Sequence, residues 1–159
     1  MREWEQGDLP AMVDLFDEPD IARRTPLPSP FTLADAQDRL ARAGQPDRLL
    51  LAVTADGRRP LGEVLLTATG ELGYMIGKPH RGLGLATRAL VLLRDYAHDA
   101  VGLAVLRLKI EPDNDSSIAV AQRAGFQLGR AAAEVVEHKG RRCVLDVWEH
   151  ILPRPSGVD

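Results

Sequence analysis

The chain has 159 residues, of which 45% are hydrophobic and 27% charged. This length fits one domain with its own core, and the composition excludes collagen-like, low-complexity and wholly disordered proteins. Twenty Lys and Arg against 23 Asp and Glu give a net charge of −3, which argues against a general nucleic-acid binder, because neutralising phosphates requires a basic face. No apolar stretch is long enough to span a membrane, and the charged N-terminus is unlike a secretory signal. The single cysteine, Cys143, excludes an internal disulfide and a cysteine-based zinc site and favours the reducing cytoplasm.

The first third of the chain is predicted to be mostly helical. A short strand at Arg2–Glu5 precedes a helix that starts at Asp8, a residue suited to the N-cap. Three prolines between residues 26 and 30 then exclude a helix interior. A second helix is predicted from its N-cap at Thr32 to a stop at Gly44, because apolar residues recur between them at helical spacing.

The remaining chain alternates between strand and helix patterns. Strands are predicted at Leu49–Thr54, Leu61–Thr69, Glu71–Ile76, Leu103–Ile110, Phe126–Glu137 and Arg141–Ile151, and helices at Arg81–Ala97 and Ser116–Ala124. Antiparallel strands followed by one central crossover predict an α/β fold with a mixed, mostly antiparallel central sheet and helices on both faces. The crossover makes the third and fourth strands parallel neighbours. Residues 1–152 are expected to form one domain, and residues 153–159 a loose tail.

An anion site is predicted where the third strand runs into the first of these two helices. The first helical N–H groups have no partner within the helix, and they lie at the positive end of its dipole. Gly82 and Gly84 allow a phosphate to approach the backbone, and basic side chains cluster around them. A plain turn is the alternative, but the coincidence of glycines, helix start and cations favours phosphate. The loop lacks the Gly-Lys-Ser/Thr ending of a P-loop, and Thr87 stands where the Rossmann fingerprint requires Gly or Ala.

Two motifs together resemble those of a known family. The first is R-x-x-G-x-A at residues 81–86, and the second is N-x-x-S followed by Gly-Phe at residues 114–126. Both resemble motifs of the GNAT superfamily of acetyl-CoA-dependent N-acetyltransferases. The flanking strands and the N-terminal helices resemble those of the subgroup of ribosomal-protein N-terminal acetyltransferases. The resemblance covers Arg2–Leu152 and implies acetyl transfer to a primary amine.

The resemblance implies an acetyl-CoA site without a metal. The loop that includes Arg81 and Gly82 would hold the pyrophosphate through the backbone amides of Leu83, Gly84, Leu85 and Ala86 and the Thr87 hydroxyl. Met75 and Ile76 would offer backbone groups to the pantetheine arm, and Asn114 would hydrogen-bond it. Ser117 would lie near the thioester sulfur. From the residues alone, Asn114 is also a plausible helix N-cap and Ser117 a small helical residue.

The catalytic residues are predicted with less support from the motifs. Many family members carry a tyrosine that protonates the leaving thiolate, but here that position is Ala121, so Ser117 is the expected substitute donor. A thiol has a pKa of about 8.5, so a strong acid is not essential. Glu71 is the first choice for a general base, because it opens the strand beside the expected cleft. Glu63 and Glu111 are the alternatives.

The acceptor is expected to be an amine-bearing molecule. The N-terminal α-amine of a protein or peptide is the first choice, and a small-molecule amine is close behind. The acceptor pocket is predicted between Pro26–Phe31 and the Glu134–Arg141 hairpin, because loops beside a rigid scaffold usually hold specificity. Nucleic acid and a membrane are not expected as partners, and a homodimer is left open. Two other hypotheses are a non-catalytic coenzyme A sensor and a nucleotide-binding regulator.

Overall fold

The computed structural model describes residues 1–152, so the predicted tail at 153–159 lies outside the described residues. The strands are β1 (Arg2–Glu3), β2 (Arg48–Thr54), β3 (Pro60–Thr67), β4 (Leu72–Ile76), β5 (Val105–Ile110), β6 (Gln127–Leu128), β7 (Glu134–His138) and β8 (Arg141–Ile151). The helices are α1 (Leu9–Phe16), α2 (Pro19–Arg24), α3 (Leu33–Ala43), α4 (Leu85–Asp99) and α5 (Asp115–Arg123). The predicted mixed α/β fold is confirmed.

The strands form two half-sheets that meet at one point. One half-sheet has the antiparallel order β1-β2-β3-β4, and the other has the order β5-β8-β6, with β7 also pairing with β8. A parallel bridge between Glu71 and Arg107 joins them, and the Arg107 N–H donates to the Gly70 carbonyl at 2.8 Å. A Cβ on Gly70 would lie 2.6 Å from the Val105 carbonyl oxygen, so this close approach requires glycine. The predicted parallel pairing is confined to this bridge, and beyond it β4 and β5 diverge as a V.

Side chains alternate between two cores, one on each face of the sheet. On β3, Val64 and Leu66 belong to the core under α4 and α5, whereas Leu65 packs against the core under α1 and α3. The first core also contains Leu90 and Leu93 of α4, both fully buried. Helices therefore cover both faces, as the sequence predicts.

Three features differ most from the prediction, whereas the other strand bounds shift by at most two residues. Helix α4 starts at Leu85 and not at Arg81, because Gly82 and Gly84 have φ of +78° and +71°, which no helix contains. The predicted strand Phe126–Glu137 is two strands, because the chain leaves the ladder after the Gly129 N–H donates to the Val147 carbonyl at 2.8 Å. Helix α2 was not predicted. It has six residues and one buried apolar side chain, Ile21, so it shows no helical periodicity.

A buried ion pair fastens α3 to the sheet. Glu63 of β3 is 1% exposed, and its two carboxylate oxygens lie 3.0 and 3.1 Å from Nε of Arg39 on α3. Burial raises the pKa of Glu63, and the Arg39 guanidinium opposes that shift. The Arg39 side chain keeps 20% of its surface exposed and lies over the Phe16 ring, 5.9 Å from its centroid. Glu63 therefore depends on Arg39, whereas Arg39 also reaches water.

This asymmetry predicts unequal losses of stability. Arg39→Met leaves a buried carboxylate without its cation and is expected to lower the free energy of unfolding at pH 8 by about 3–5 kcal/mol. Glu63→Gln is expected to cost less than half as much, because Arg39 can turn to solvent. In Arg39→Met the neutral acid is favoured in the folded state, so the penalty grows as pH rises above the unfolded pKa of about 4.3. Urea unfolding at pH 5.5 and pH 8 measures both effects. Equal losses for the two variants, or a pH-independent loss in Arg39→Met, would contradict this account.

Candidate active site

A cavity of about 670 Å³ lies beside the second half of β4, past the bridge at which the pairing of the two half-sheets ends. Its other walls are the start of α4, one side of α5, and α2. The volume is in the range of pockets that hold small ligands. The cavity brings together most of the residues predicted from the two motifs, listed here: Met75, Ile76, Arg81, Gly82, Gly84, Leu85, Ala86, Thr87, Asn114 and Ser117. Leu83 lies beside it and is 64% exposed.

The N-terminus of α4 is open towards this cavity. Gly84 is the N-cap, and no side chain of the described residues caps the helix. The N–H groups of Leu85, Ala86 and Thr87 thus belong to the unsatisfied first turn. An added Cβ on Gly82 or Gly84 would meet no atom within 4 Å, so positive φ rather than crowding requires glycine at both positions. An uncapped helix start with open space in front of it is suited to an anion.

Arg81 does not extend freely into this space. Its Nε donates to the Ile76 carbonyl at 3.0 Å, and its Nη2 donates to Glu18 Oε2 at 2.7 Å. Burial alone would raise the pKa of Glu18, but Arg81 and the backbone N–H groups of Asp20 and Ile21 lower it below its usual value. Arg81 is therefore anchored to the end of β4 and to the start of α2.

Two further arginines lie beyond the loop. Arg88 and Arg123 line a second cavity of about 500 Å³ that borders Gly82, Leu83 and Thr87. Arg88 donates to the Leu83 carbonyl at 3.1 Å. Sequence reasoning missed Arg123, because only the packing of α5 beside α4 brings its last turn to this loop. Both guanidinium groups can hold additional negative charge on a ligand that extends past the helix start.

The N-terminus of α5 forms the opposite wall. Asn114 is its N-cap, and its Oδ1 accepts from the Ser117 N–H at 3.3 Å and from the Ser116 hydroxyl at 3.0 Å. Within the described residues the Asn114 amide nitrogen has no hydrogen-bond partner, so Nδ2 is available to a ligand. The cap function considered from the sequence and a ligand contact use different atoms of Asn114.

A tyrosine not predicted from the sequence lines the same cavity. The Tyr74 hydroxyl donates to the Ser117 carbonyl at 3.4 Å, and burial raises the pKa of this phenol above its usual value. Ala121 lies elsewhere: it is fully buried in the core under α4 and α5. A tyrosine at position 121 would have to enter that packed core, so it would not supply a hydroxyl to the cavity without rearrangement.

Each of the three candidate bases is held by a cation. Glu71 lies at the closed end of the V, outside the cavity lining, and Lys109 Nζ lies 2.8 Å from its carboxylate. Glu63 is enclosed under α3. Glu111 accepts from both terminal nitrogens of Arg141 at 2.8 and 2.9 Å, and this pairing lowers its pKa. The geometry brings none of the three into the described lining of the cavity.

Comparison with known proteins agrees with this geometry. The model of the acetyltransferase (GNAT) domain matches residues 1–127. The chain belongs to the GNAT acetyltransferase family. It is an acetyl-CoA-dependent N-acetyltransferase, so the hypotheses of a coenzyme A sensor and a nucleotide-binding regulator are set aside.

Several relatives resemble this acetyltransferase over most of their length. An uncharacterised N-acetyltransferase p20 from Bacillus licheniformis is 26% identical over 93% of this chain and 88% of its own. The structure of spermidine N-acetyltransferase from Vibrio cholerae, in complex with CoA and spermine, has a TM-score of 0.79 at 18% identity and covers 94% of this chain and 93% of its own. Ribosomal-protein-alanine N-acetyltransferase from Brucella melitensis has a TM-score of 0.76 at 22% identity, over 95% of this chain and 98% of its own.

The segment predicted to form part of the acceptor pocket does not line this cavity of the GNAT enzyme. Leu27 and Phe31 of Pro26–Phe31 are buried in the core under α1 and α3. Helix α2 lines the cavity instead, through Asp20, Ile21 and Arg24. No helix within residues 1–152 is both long and apolar enough to cross a membrane.

Proposed function

We propose that this enzyme acetylates the N-terminal α-amine of a protein or peptide, with acetyl-CoA bound along the cavity between β4, α4 and α5. The observation that supports it best is the meeting of an uncapped helix start and a diverging strand pair in one cavity. The helix start can hold the pyrophosphate of acetyl-CoA, and the separated strands can admit its extended pantetheine arm.

The proposed binding of acetyl-CoA follows the cavity from end to end. The pyrophosphate lies at the amides of Leu83–Ala86 and the Thr87 hydroxyl, where the helix dipole and the open space favour it. The pantetheine arm runs beside Met75 and Ile76, where the edge of β4 is no longer paired with β5. Asn114 Nδ2 donates to the arm. The reactive end then lies between Ser117 and α2.

The proposed reaction is a direct transfer. The neutral amine nitrogen attacks the thioester carbonyl carbon, a C–N bond forms, the C–S bond breaks, and coenzyme A leaves as the thiolate. The attacking nitrogen releases one proton to solvent water, and Ser117 donates a hydrogen bond to the departing sulfur, which keeps the electron pair of the broken C–S bond. A thiol pKa of about 8.5 makes the thiolate a moderate leaving group, so hydrogen bonding is sufficient support.

The charges around α2 favour an α-amine over a polyamine or a lysine. Three carboxylates around the cavity are paired with arginines: Glu18 with Arg81, Asp113 with Arg24, and Glu111 with Arg141. A polycation would have to displace these arginines to use them, which leaves Asp115 and the exposed Asp20 as the other carboxylates of the lining. An α-amine has a pKa of about 7.8 and is partly neutral near pH 7.5, whereas a lysine amine with a pKa of about 10.4 needs a base. The similar structures include both a ribosomal-protein-alanine acetyltransferase and a spermidine acetyltransferase, so the choice between them rests on the amine chemistry. The buried thiol of Cys143 fits the expected cytoplasm.

Two matched peptides test the acceptor. One has a free N-terminus and blocked lysines, and the other has the reverse. We expect the first to be acetylated faster, with kcat/KM rising with pH and levelling near the amine pKa of about 8. Because Glu71 lies at the closed end of the V, Glu71→Gln is expected to change this profile by less than about threefold, whereas its earlier assignment as the base requires a large loss. Thiol release measures both rates. Faster turnover of the lysine peptide, or of spermidine, would contradict the proposed acceptor.

The role of Ser117 is tested against its neighbour. Ser117→Ala is expected to lower kcat by about tenfold to a hundredfold while the Kd of acetyl-CoA changes little, because the hydrogen bond forms only as the thiolate departs. Ser116→Ala is the matched control, since Ser116 is exposed and bonds only Asn114. Single-turnover rates and calorimetry separate the two quantities. Equal kcat values for the Ser117→Ala and Ser116→Ala variants would remove Ser117 from the mechanism.

A further inference from the structure

Helix α2 is attached to the cofactor loop through Arg81, which contacts Glu18 and, at 3.6 Å, the exposed carboxylate of Asp20. Glu18 accepts from Arg81 at 2.7 Å and also from the N–H groups of Asp20 and Ile21 at 3.3 Å, so one carboxylate caps α2 and binds the loop. Arg81 simultaneously donates to the Ile76 carbonyl. The Glu18 side chain is 11% exposed, so solvent screens this pair less than it screens a surface ion pair. A displacement of the loop is therefore transmitted to the start of α2.

The other end of α2 is attached to the opposite wall of the cavity. Arg24 lies 2.5 Å from Asp113 and 3.3 Å from Glu111, which follow β5. The hairpin between β7 and β8 adds two contacts to α2 carbonyls: Lys139 donates to the Ala22 oxygen at 2.7 Å, and Arg141 donates to the Arg23 oxygen at 2.8 Å. Ile21 and Arg24 of the same helix line the cavity. Helix α2 therefore runs along the cavity and is fixed at both of its ends.

We infer that Arg81 is a positioning residue that acts through Glu18, so that coenzyme A at the α4 loop fixes α2 and thereby strengthens acceptor binding. The inference rests on the proposed function, because it takes the α4 loop as the cofactor site. Phosphates at Leu85–Thr87 would order the loop that carries Arg81, and in the described part of the chain Arg81 is the loop side chain that contacts α2. Coenzyme A and the acceptor would then both favour the same position of α2. A shared element whose position both ligands favour is the physical requirement for coupling between two sites.

Hydrogen exchange tests the coupling without any acceptor. Coenzyme A is added to the wild type, Arg81→Gln, Glu18→Gln and Arg59→Gln. Glu18→Gln keeps an oxygen that can cap α2, and Arg59→Gln removes the same charge from an exposed residue between β2 and β3 that lines neither cavity. In the wild type and Arg59→Gln, coenzyme A is expected to slow exchange in both residues 85–88 and 19–25. In the other two variants, protection is expected to remain at 85–88 and be lost at 19–25.

The outcomes separate this inference from the proposed function. If coenzyme A protects residues 85–88 of the wild type but not 19–25, the coupling is overturned while the cofactor site stands. If it protects neither, the cofactor site itself is wrong. Protection of 19–25 that persists in Arg81→Gln would also overturn the role of Arg81.

Kinetics with the α-amine peptide provide the second readout. Arg81→Gln and Glu18→Gln are each expected to raise the peptide KM about tenfold, within the usual range of coupling between two sites, and to change the Kd of acetyl-CoA less than about threefold. The double variant is expected to match Arg81→Gln, because that substitution already removes the contact that Glu18→Gln removes. A weaker Kd for acetyl-CoA with an unchanged peptide KM would instead make Arg81 a direct phosphate ligand. Additive effects in the double variant would likewise contradict the inference.

Discussion

The structure depends on the point where its two half-sheets meet and then separate. Gly70 allows the Arg107 N–H to reach its carbonyl at 2.8 Å, and the parallel bridge of Glu71 with Arg107 follows at once. After it, β4 is bonded to β3, and β5 to β8, with no ladder between them in the described chain. A backbone edge is thereby exposed inside the protein, beside the helix start that follows Gly84. An unpaired edge and an uncapped helix are both unfavourable when buried without a partner, so a ligand that satisfies both gains affinity.

Many of the charged side chains around the site form ion pairs, and the site does not present a surface of one charge sign. Arg24 of α2 and Arg141 of β8 both contact Glu111, and Arg81 of the loop before α4 contacts Glu18, so these ion pairs join separate segments around the cavity. Such pairs contribute modestly to stability where they are exposed. Their larger effect is geometric, because they join segments that no hydrogen-bond ladder connects. A polycationic acceptor would have to compete with these arginines for Glu18, Glu111 and Asp113.

Local signals in the sequence predicted the cofactor loop, whereas contacts between distant residues could not be predicted. The R-x-x-G-x-A motif and the Asn114 cap are each encoded within a few residues, so the loop, α4 and α5 were recognised. The start of α4 was predicted four residues too early, because hydrophobic periodicity does not reveal the positive φ of Gly82 and Gly84. Helix α2 was missed because six residues show no apolar repeat. The pairing of Arg141 with Glu111 joins positions 30 residues apart, and His98 meets His150 across 52 residues. Periodicity contains no information about such pairs, and it likewise did not show that α2, rather than Pro26–Phe31, lines the cavity.

The central claim, that the start of α4 binds the pyrophosphate of coenzyme A, is tested most directly by one substitution in its first turn. A Glu in place of Thr87 is favourable to the helix dipole, so Thr87→Glu should fold with an unchanged or slightly higher Tm. The same charge would face the phosphates, and calorimetry should then show coenzyme A binding at least about tenfold more weakly than in Thr87→Gln, the uncharged variant of the same shape. Equal Kd values for these two folded variants would contradict the account.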